Sequence, residues 1–560
     1  MTQLNGTTGG VSLSKKRLEV SKRFKALFAK HSKTSAIVLL LVVLVLSLSA
    51  CGGAGTNGDK STSEGQDQGQ DQGKTKEKVL VFARGGDSVS LDPATVTDGE
   101  SLRVTKNIME PLLQYKPDSF EVEPALATDW KVSDDGLTYT FTLRKDVKFH
   151  DGTDFNADAV VYNFKRWVDP NDPHYAEFEY YQSQFGDIIE DVVAVDPYTV
   201  EFHLKDRQAP FLQNIAMDPF AIASPEALKK YGADFGRHPV GTGPYVFEEW
   251  KPKASITLVK NKDYWGGELG LDRVVFTVIE DNSARLNALK SGEADIIDGV
   301  LPNDVASLKK DDRFQVLDRP PNNVGYLGFN TQKSPFDNVK LRQAVAHVIN
   351  KQGLIDAFYS GQGEPAKNPM PSTIAGYNDA IVDYEYNLEK AKQLMKEAGY
   401  ADGVEVNFYA MPVYRPYMPN GPKVAEAIQD ELNKIGIRTK IVSPEWAVYL
   451  DETKQGKQDM YLLGWTGDNG DPDNYLYVLL DKDNAGGSNR SFYTNEEVHT
   501  LLVQAQQEVD QAKRMELYKR AQEIIHEDVP MIPLVHSISS LAATKDVKGF
   551  IPHPGGSDKL

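Results

Sequence analysis

Cysteine is nearly missing from this chain: Cys51 is the single thiol in 560 residues. One thiol forms no internal disulfide and no thiolate cluster for a metal, so stability must come from a large apolar core. No apolar run reaches the 18 or so residues that a membrane-crossing helix needs; the longest, Ala36 to Leu46, is too short for a core about 30 Å thick. Phosphate-cradling GxxxxGK[ST], the nucleophile elbow GxSxG and the zinc motif HExxH are all missing. Gly241-Thr242-Gly243 lacks the third glycine of a dinucleotide fingerprint, and Pro244 after it argues for a turn. The ten histidines are scattered, none paired at metal-ligand spacing. Asp481-Lys482-Asp483 begins like a calcium loop and fails at Ala485, where a further oxygen ligand is needed. We therefore expect no catalytic residues, no metal and no cofactor.

Positive charge is also scarce in the body. Eight basic and one acidic side chain precede Cys51, which leaves 54 basic against 79 acidic for everything after it. Such a surface repels nucleic acid and anionic lipid headgroups, and no basic patch interleaved with aromatics offsets it. The early basic residues (Lys15 to Lys33), the eleven-residue apolar stretch and Leu48-Ser49-Ala50-Cys51 together read as a secretory signal ending in a lipobox-like site. Cys51 is then the expected lipidation site, and two acyl chains there anchor stably where one does not. The long basic segment leaves the translation start open. From Gly52 to about Lys78 the chain is rich in Gly, Gln, Asp, Lys and Ser, with GQDQGQDQG at its centre. It has too little apolar surface to offset the entropy of ordering, which predicts a flexible tether.

Beyond Val79 the length is too great for one core, so two or three lobes are expected. Leu137–Leu143 alternates as a half-buried strand does, and Leu388 to Ala398 carries apolar residues at helical spacing before Gly399. Val404–Met411, then Val424, Ile428, Leu432 and Ile435 up to Gly436, then Ile437–Val442 spell a βαβ unit. Met460–Trp465 predicts a further strand, leading into the turn-rich TGDNGDPDN. In open α/β sheets ligands bind beyond the carboxyl ends of strands, and Arg415 and Asp468 each follow such an end. Either one alone reads as a solvated loop charge. Their matched placement, opposite sign and the nearby Tyr414, Tyr417, Trp446 and Trp465 make them a candidate pair. Asp468, Asp471 and Asp473 also allow a cation site, although capping and Asx-turn roles suit the last two better.

Five stretches carry a resemblance: Leu126–Thr140 (LATDWKVSDDGLTYT), Gly241–Phe247 (GTGPYVF), Val324–Asn330 (VGYLGFN), Ala410–Asn420 (AMPVYRPYMPN) and Gly464–Asn474 (GWTGDNGDPDN). From about Val79 to His536 the chain resembles the family-5 solute-binding proteins of ABC transporters, and the last two stretches resemble its dipeptide-binding branch. The resemblance implies an α/β, periplasmic-binding-protein-like fold (type II, cluster C) with two main lobes, an inserted third domain and a hinge of two chain crossings. Lobe I would take 79–112, 237–323 and 533–560, the inserted domain 113–236, and lobe III 324–532, with crossings near Val324–Asn330 and Pro530–His536. It implies a monomer on the extracellular face of the cytoplasmic membrane. Its partners would be a dipeptide and the permease subunits of an importer. Arg415 would pair with the peptide carboxylate and Asp468 with its amine; Trp465, Thr466, Gly467, Tyr417 and Trp446 would surround them, with Ser88 adding a hydrogen bond from lobe I. Two features depart from the Gram-negative dipeptide binders: this chain lacks their paired cysteines and carries a lipobox, as suits a Gram-positive cell without a periplasm. Relatives also carry longer peptides, glutathione, haem and nickel chelates. A peptide-sensing receptor and an extracellular peptidase are the readings from other classes, the last without a nucleophile or metal cluster to support it.

Overall fold

The computed structural model describes residues 77–560 except 176, 177 and 557. Residues from Lys76 to Leu560 form one unit. The signal segment, Cys51 and the tether up to Lys76 lie outside the described residues. Among the described residues three larger sheets, beside a two-stranded ribbon of Leu113–Tyr115 and Val122–Pro124, each pack on a core of their own.

The first sheet has seven strands, in the order Phe314–Arg319, Ser539–Thr544, Ile296–Ile297, Val79–Arg84, Arg273–Val278, Ser255–Lys260 and Tyr245–Lys251. Val79–Arg84 runs parallel to both neighbours, and the outer pairings are antiparallel. The second is a four-stranded antiparallel sheet formed within residues 127–204. Its strand Thr138–Leu143 buries Tyr139, Phe141 and Leu143, the alternation the sequence predicts, against Val200, Phe202 and Leu204 of Thr199–Leu204.

The third sheet has six strands, in the order Gly363–Pro365, Met531–Ser537, Asn323–Phe329, Met460–Thr466, Val404–Tyr409 and Ile437–Val442. Every residue of the two central strands Asn323–Phe329 and Met531–Ser537 is buried. The predicted βαβ unit is present: Val404–Tyr409 pairs in parallel with Ile437–Val442, and helix Gly421–Asn433 connects them. Asn420 caps that helix by accepting from the Lys423 amide at 3.2 Å, Val424, Ile428 and Leu432 face the core, and Gly436 takes the positive φ (+88°) that a side chain would resist. Helix Leu388–Glu397 likewise ends before Gly399, at φ +89°.

The boundaries differ from expectation in two places. Residues 533–537, expected in lobe I, belong to strand Met531–Ser537 of the six-stranded sheet, and the chain crosses between sheets at residues 320–322 and at Ile538. Ala221, Ala223, Ala227, Leu228 and Phe235, expected in the inserted domain, pack in the core of the seven-stranded sheet. Both shifts arise because side-chain burial, not motif position, decides which lobe a connecting segment joins. The fold is α/β, with two main lobes and an inserted third domain.

Candidate functional site

The site forms beyond the carboxyl end of Met460–Thr466. This strand runs parallel to Val404–Tyr409 but is staggered from it, with Phe408 opposite Met460 and Tyr409 opposite Tyr461, so the first strand ends where the second begins and the 410–420 loop continues along it. Asn323, just after the first crossing, lies opposite Thr466, so the same edge is also the hinge edge. Two glycines let the 410–420 loop fold back over it. A Cβ on Gly464 would come within 2.2 Å of the Tyr417 ring, and one on Gly325 within 2.3 Å of the Tyr417 carbonyl oxygen. Tyr417 is thereby buried, and its carbonyl accepts from the Tyr359 hydroxyl at 2.8 Å.

Arg415 stands exposed on this loop. Its backbone exchanges hydrogen bonds with Met418, and its guanidinium donates to the Tyr414 carbonyl at 2.9 Å. It also lies 5.9 Å from the centre of the Trp446 ring, itself stacked on Tyr449. A planar cation held on an aromatic face keeps its outer N–H groups free for an anion.

Asp468 sits two residues past Thr466, partly buried. Asn474 Nδ2 donates to its Oδ2 at 3.0 Å, while Asn474 Oδ1 accepts from the Asp468 amide and from Trp465 Nε1, both at 3.0 Å. Tyr180, from the inserted domain, lies near the carboxyl. Burial pushes the Asp468 carboxyl up to about 6, and the hydrogen bond from Asn474 keeps it from rising further. Gly467 is buried, bonded both ways to Asn322, with the Tyr475 hydroxyl filling the space of a side chain; Thr466 is exposed. The structure thus brings Arg415 and Tyr417, on one loop, together with Trp446 at the start of helix Trp446–Lys454, and Trp465 and Asp468 together through Asn474. Gly464 in contact with Tyr417 links the groups, and the four residues from there to Asp468 span at most about 14 Å.

Ser88 lies apart from these contacts. It is buried, accepting from Arg84 at 3.1 Å and donating to the Glu100 carbonyl at 3.3 Å. The cation reading of Asp468, Asp471 and Asp473 does not hold. Asp471 forms a buried two-pronged ion pair with Arg514 (2.7 Å each), and Asp473 accepts from Gln506 at 3.0 and 3.1 Å. With Asp471 beside it and no cation of its own, the Asp473 carboxyl is pushed up to about 7, chiefly by burial. Among the described residues Asp481, Asp483 and His499 bring ligand atoms within 4.8 Å of one another, and His499 Nδ1 already pairs with Asp481 at 3.0 Å. Sequence reasoning missed Tyr180, Asn474 and Arg514. Only Asn474, inside the GWTGDNGDPDN stretch, lay within a recognisable signal.

The model of the family "bacterial extracellular solute-binding proteins, family 5 Middle" matches residues 121–487. The chain belongs to this family. It is 40% identical over 503 residues to heme-binding protein A of Haemophilus influenzae (86% of this chain, 92% of that one). To the dipeptide-binding protein of Escherichia coli K12 it is 38% identical over 497 residues (86% and 93%). Among solved structures, HbpA2 of Haemophilus parasuis superposes with a TM-score of 0.81 at 37% identity, covering 86% of this chain and 98% of that one. A dipeptide-binding protein of Pseudoalteromonas sp. SM9913, in complex with Met-Leu, gives 0.74 at 34% identity, covering 86% and 99%. This solute-binding protein therefore has the type II periplasmic-binding fold, and its two crossings at residues 320–322 and Ile538 are the hinge.

Proposed function

We propose that the protein is the lipid-anchored receptor of a peptide importer, binding dipeptides by their two charged ends and presenting them to the permease. The observation that carries this is the pair of opposite charges: Asp468, two residues past Met460–Thr466, and Arg415, on the loop whose Tyr417 packs against Gly464 of that strand. A dipeptide is a zwitterion whose termini are within about 7 Å, and a third residue overshoots by about 3.5 Å. The guanidinium offers parallel N–H groups to the carboxylate; the aspartate offers several acceptor sites to the ammonium. Lobe closure removes water and strengthens both contacts. Haem, named for one relative, offers carboxylates to Arg415 but no ammonium to Asp468, which favours the dipeptide.

Calorimetric titration of the full chain with dialanine tests this reading. Micromolar or tighter binding is expected, lost when the ligand amine is acetylated or its carboxylate amidated. Tight haem binding with no heat from dialanine would refute it.

The raised carboxyl of Asp468 predicts a pH dependence. Only the ionised form holds the ammonium, so dialanine affinity is level above pH 7 and falls about tenfold by pH 5, one unit below the value of about 6. Stability of the free protein runs the other way. The folded value lies above the ordinary aspartate value of about 3.9, so the Asp468 contribution is fully present below that and lost as pH rises through 6. Affinity flat between pH 5 and 7 would contradict the assignment.

A further inference from the structure

The inserted domain touches both lobes, by two unlike faces. The chain enters and leaves it through segments packed in the core of lobe I, Ile108 and Met109 before it and Ala221 and Ala223 after it. Buried polar bonds weld it there. Arg166 forms a two-pronged ion pair with Asp92 at 2.8 and 3.1 Å, and Asn163 exchanges hydrogen bonds with the Ala223 backbone at 2.9 and 3.2 Å. Separating a buried ion pair is strongly unfavourable, so lobe I and the inserted domain move as one body.

The face towards lobe III is built differently. It leaves a space of about 660 Å³, lined by Asp206, Arg207 and Asn214 on one side and Asn469, Asp473 and Gln506 on the other. A polar, incompletely packed interface between domains permits relative motion. The contacts across it meet the loop that carries Asp468. The Asn469 amide donates to Asn214 Oδ1 at 2.7 Å and to Gln184 Oε1 at 3.3 Å. One residue on, at Gly470 (φ +68°), a Cβ would come within 2.2 Å of the Phe120 ring, at the turn of the two-stranded ribbon. The rings of Tyr115 and His553, 5.2 and 5.0 Å away, brace Phe120. The Ala209 amide adds a bond to the Gln506 carbonyl at 2.7 Å. This seam separates the body that turns about residues 320–322 and Ile538 from the lobe holding Arg415 and Asp468.

We propose that the inserted domain is a latch: carried by lobe I, it closes on the Asp468 loop through Asn214 and Phe120 and sets the balance between open and closed lobes. Its effect on affinity rests on the dipeptide reading of Asp468. Apparent affinity scales with the fraction of molecules in the binding-competent state, so latch residues outside the ligand's reach contribute to binding.

The test compares full-length wild type, Phe120→Ala and Asn214→Ala by solution X-ray scattering, without ligand and with saturating dialanine, and by calorimetric titration with dialanine. Both ligand-free variants should have a larger radius of gyration than ligand-free wild type, and dialanine should return them to the wild-type value. Their dialanine affinity should fall about three- to tenfold, the size of change that one hydrogen bond gives. Melting curves on the same samples establish that the variants are folded at the temperature of measurement. Asn214 is buried, and should Asn214→Ala fail to fold, Phe120→Ala, at a half-buried ribbon turn, decides alone. Folded variants with wild-type dimensions, or with unchanged affinity, overturn the latch. If wild type gives no heat with dialanine, the dipeptide reading has failed, and the ligand-free scattering comparison still decides the latch.

Discussion

Asp468→Ala should weaken dipeptide binding by about a hundredfold or more. Once the lobes close, the ligand ammonium is desolvated, and removing its partner leaves a buried charge unpaired at a cost of roughly 3–5 kcal/mol. At about 1.4 kcal/mol per factor of ten, the low end is already two powers of ten. Asp468 is the more buried of the two charged residues, and its carboxylate is oriented by Asn474 before any ligand arrives. Arg415 is exposed, and its guanidinium is held by the Tyr414 carbonyl and the Trp446 ring. Arg415→Ala should therefore cost less, about ten- to a hundredfold, as hydrogen bonds to a charged group are worth about 1.5–3 kcal/mol. Calorimetry on both variants measures this. Either one binding dialanine within a few-fold of wild type would mean that the ligand is held elsewhere.

The second large effect lies beneath the site. Arg514→Ala removes the partner of Asp471, where both side chains are only 3% exposed. The stranded carboxylate would sit beside Asp473, whose own carboxyl is already driven towards neutrality. A loss of roughly 3–5 kcal/mol is expected in chemical denaturation of the lobe. Dipeptide affinity should fall as well, because Asp471 anchors the loop that carries Asp468. Replacing both partners, as in Asp471→Leu with Arg514→Met, should recover much of the stability, since the cost comes from the unpaired charge rather than from absence of the pair. A single Arg514→Ala variant within about 1 kcal/mol of wild type would show that water reaches Asp471 and that the pair does not brace the loop.

How far the sequence could be read depended on how close the interacting residues are along the chain. Val404 to Val442 was legible because a helix with apolar residues on one face, closed by Gly436, stood between two short apolar strands. The GWTGDNGDPDN loop was legible because its turn residues follow a strand directly. Tyr180 was not, since nothing about an isolated tyrosine 288 residues before Asp468 marks it. The Asp471–Arg514 pair, 43 positions apart, was hidden the same way, and Asp471 read as an ordinary turn residue. So was the ion pair of Arg319 with Asp558, 239 positions apart, which ties the C-terminal segment to the strand entering the hinge.

The sequence by itself determined the kind of fold, the family and the two charges on which the binding proposal rests, because periodicity, turn chemistry and motif spacing are local properties of a chain. Tertiary structure alone decided which donors surround Asp468, how its carboxyl titrates and which lobe each connecting segment joins. Those depend on burial and on contacts between residues far apart in sequence, which exist only once the lobes have packed.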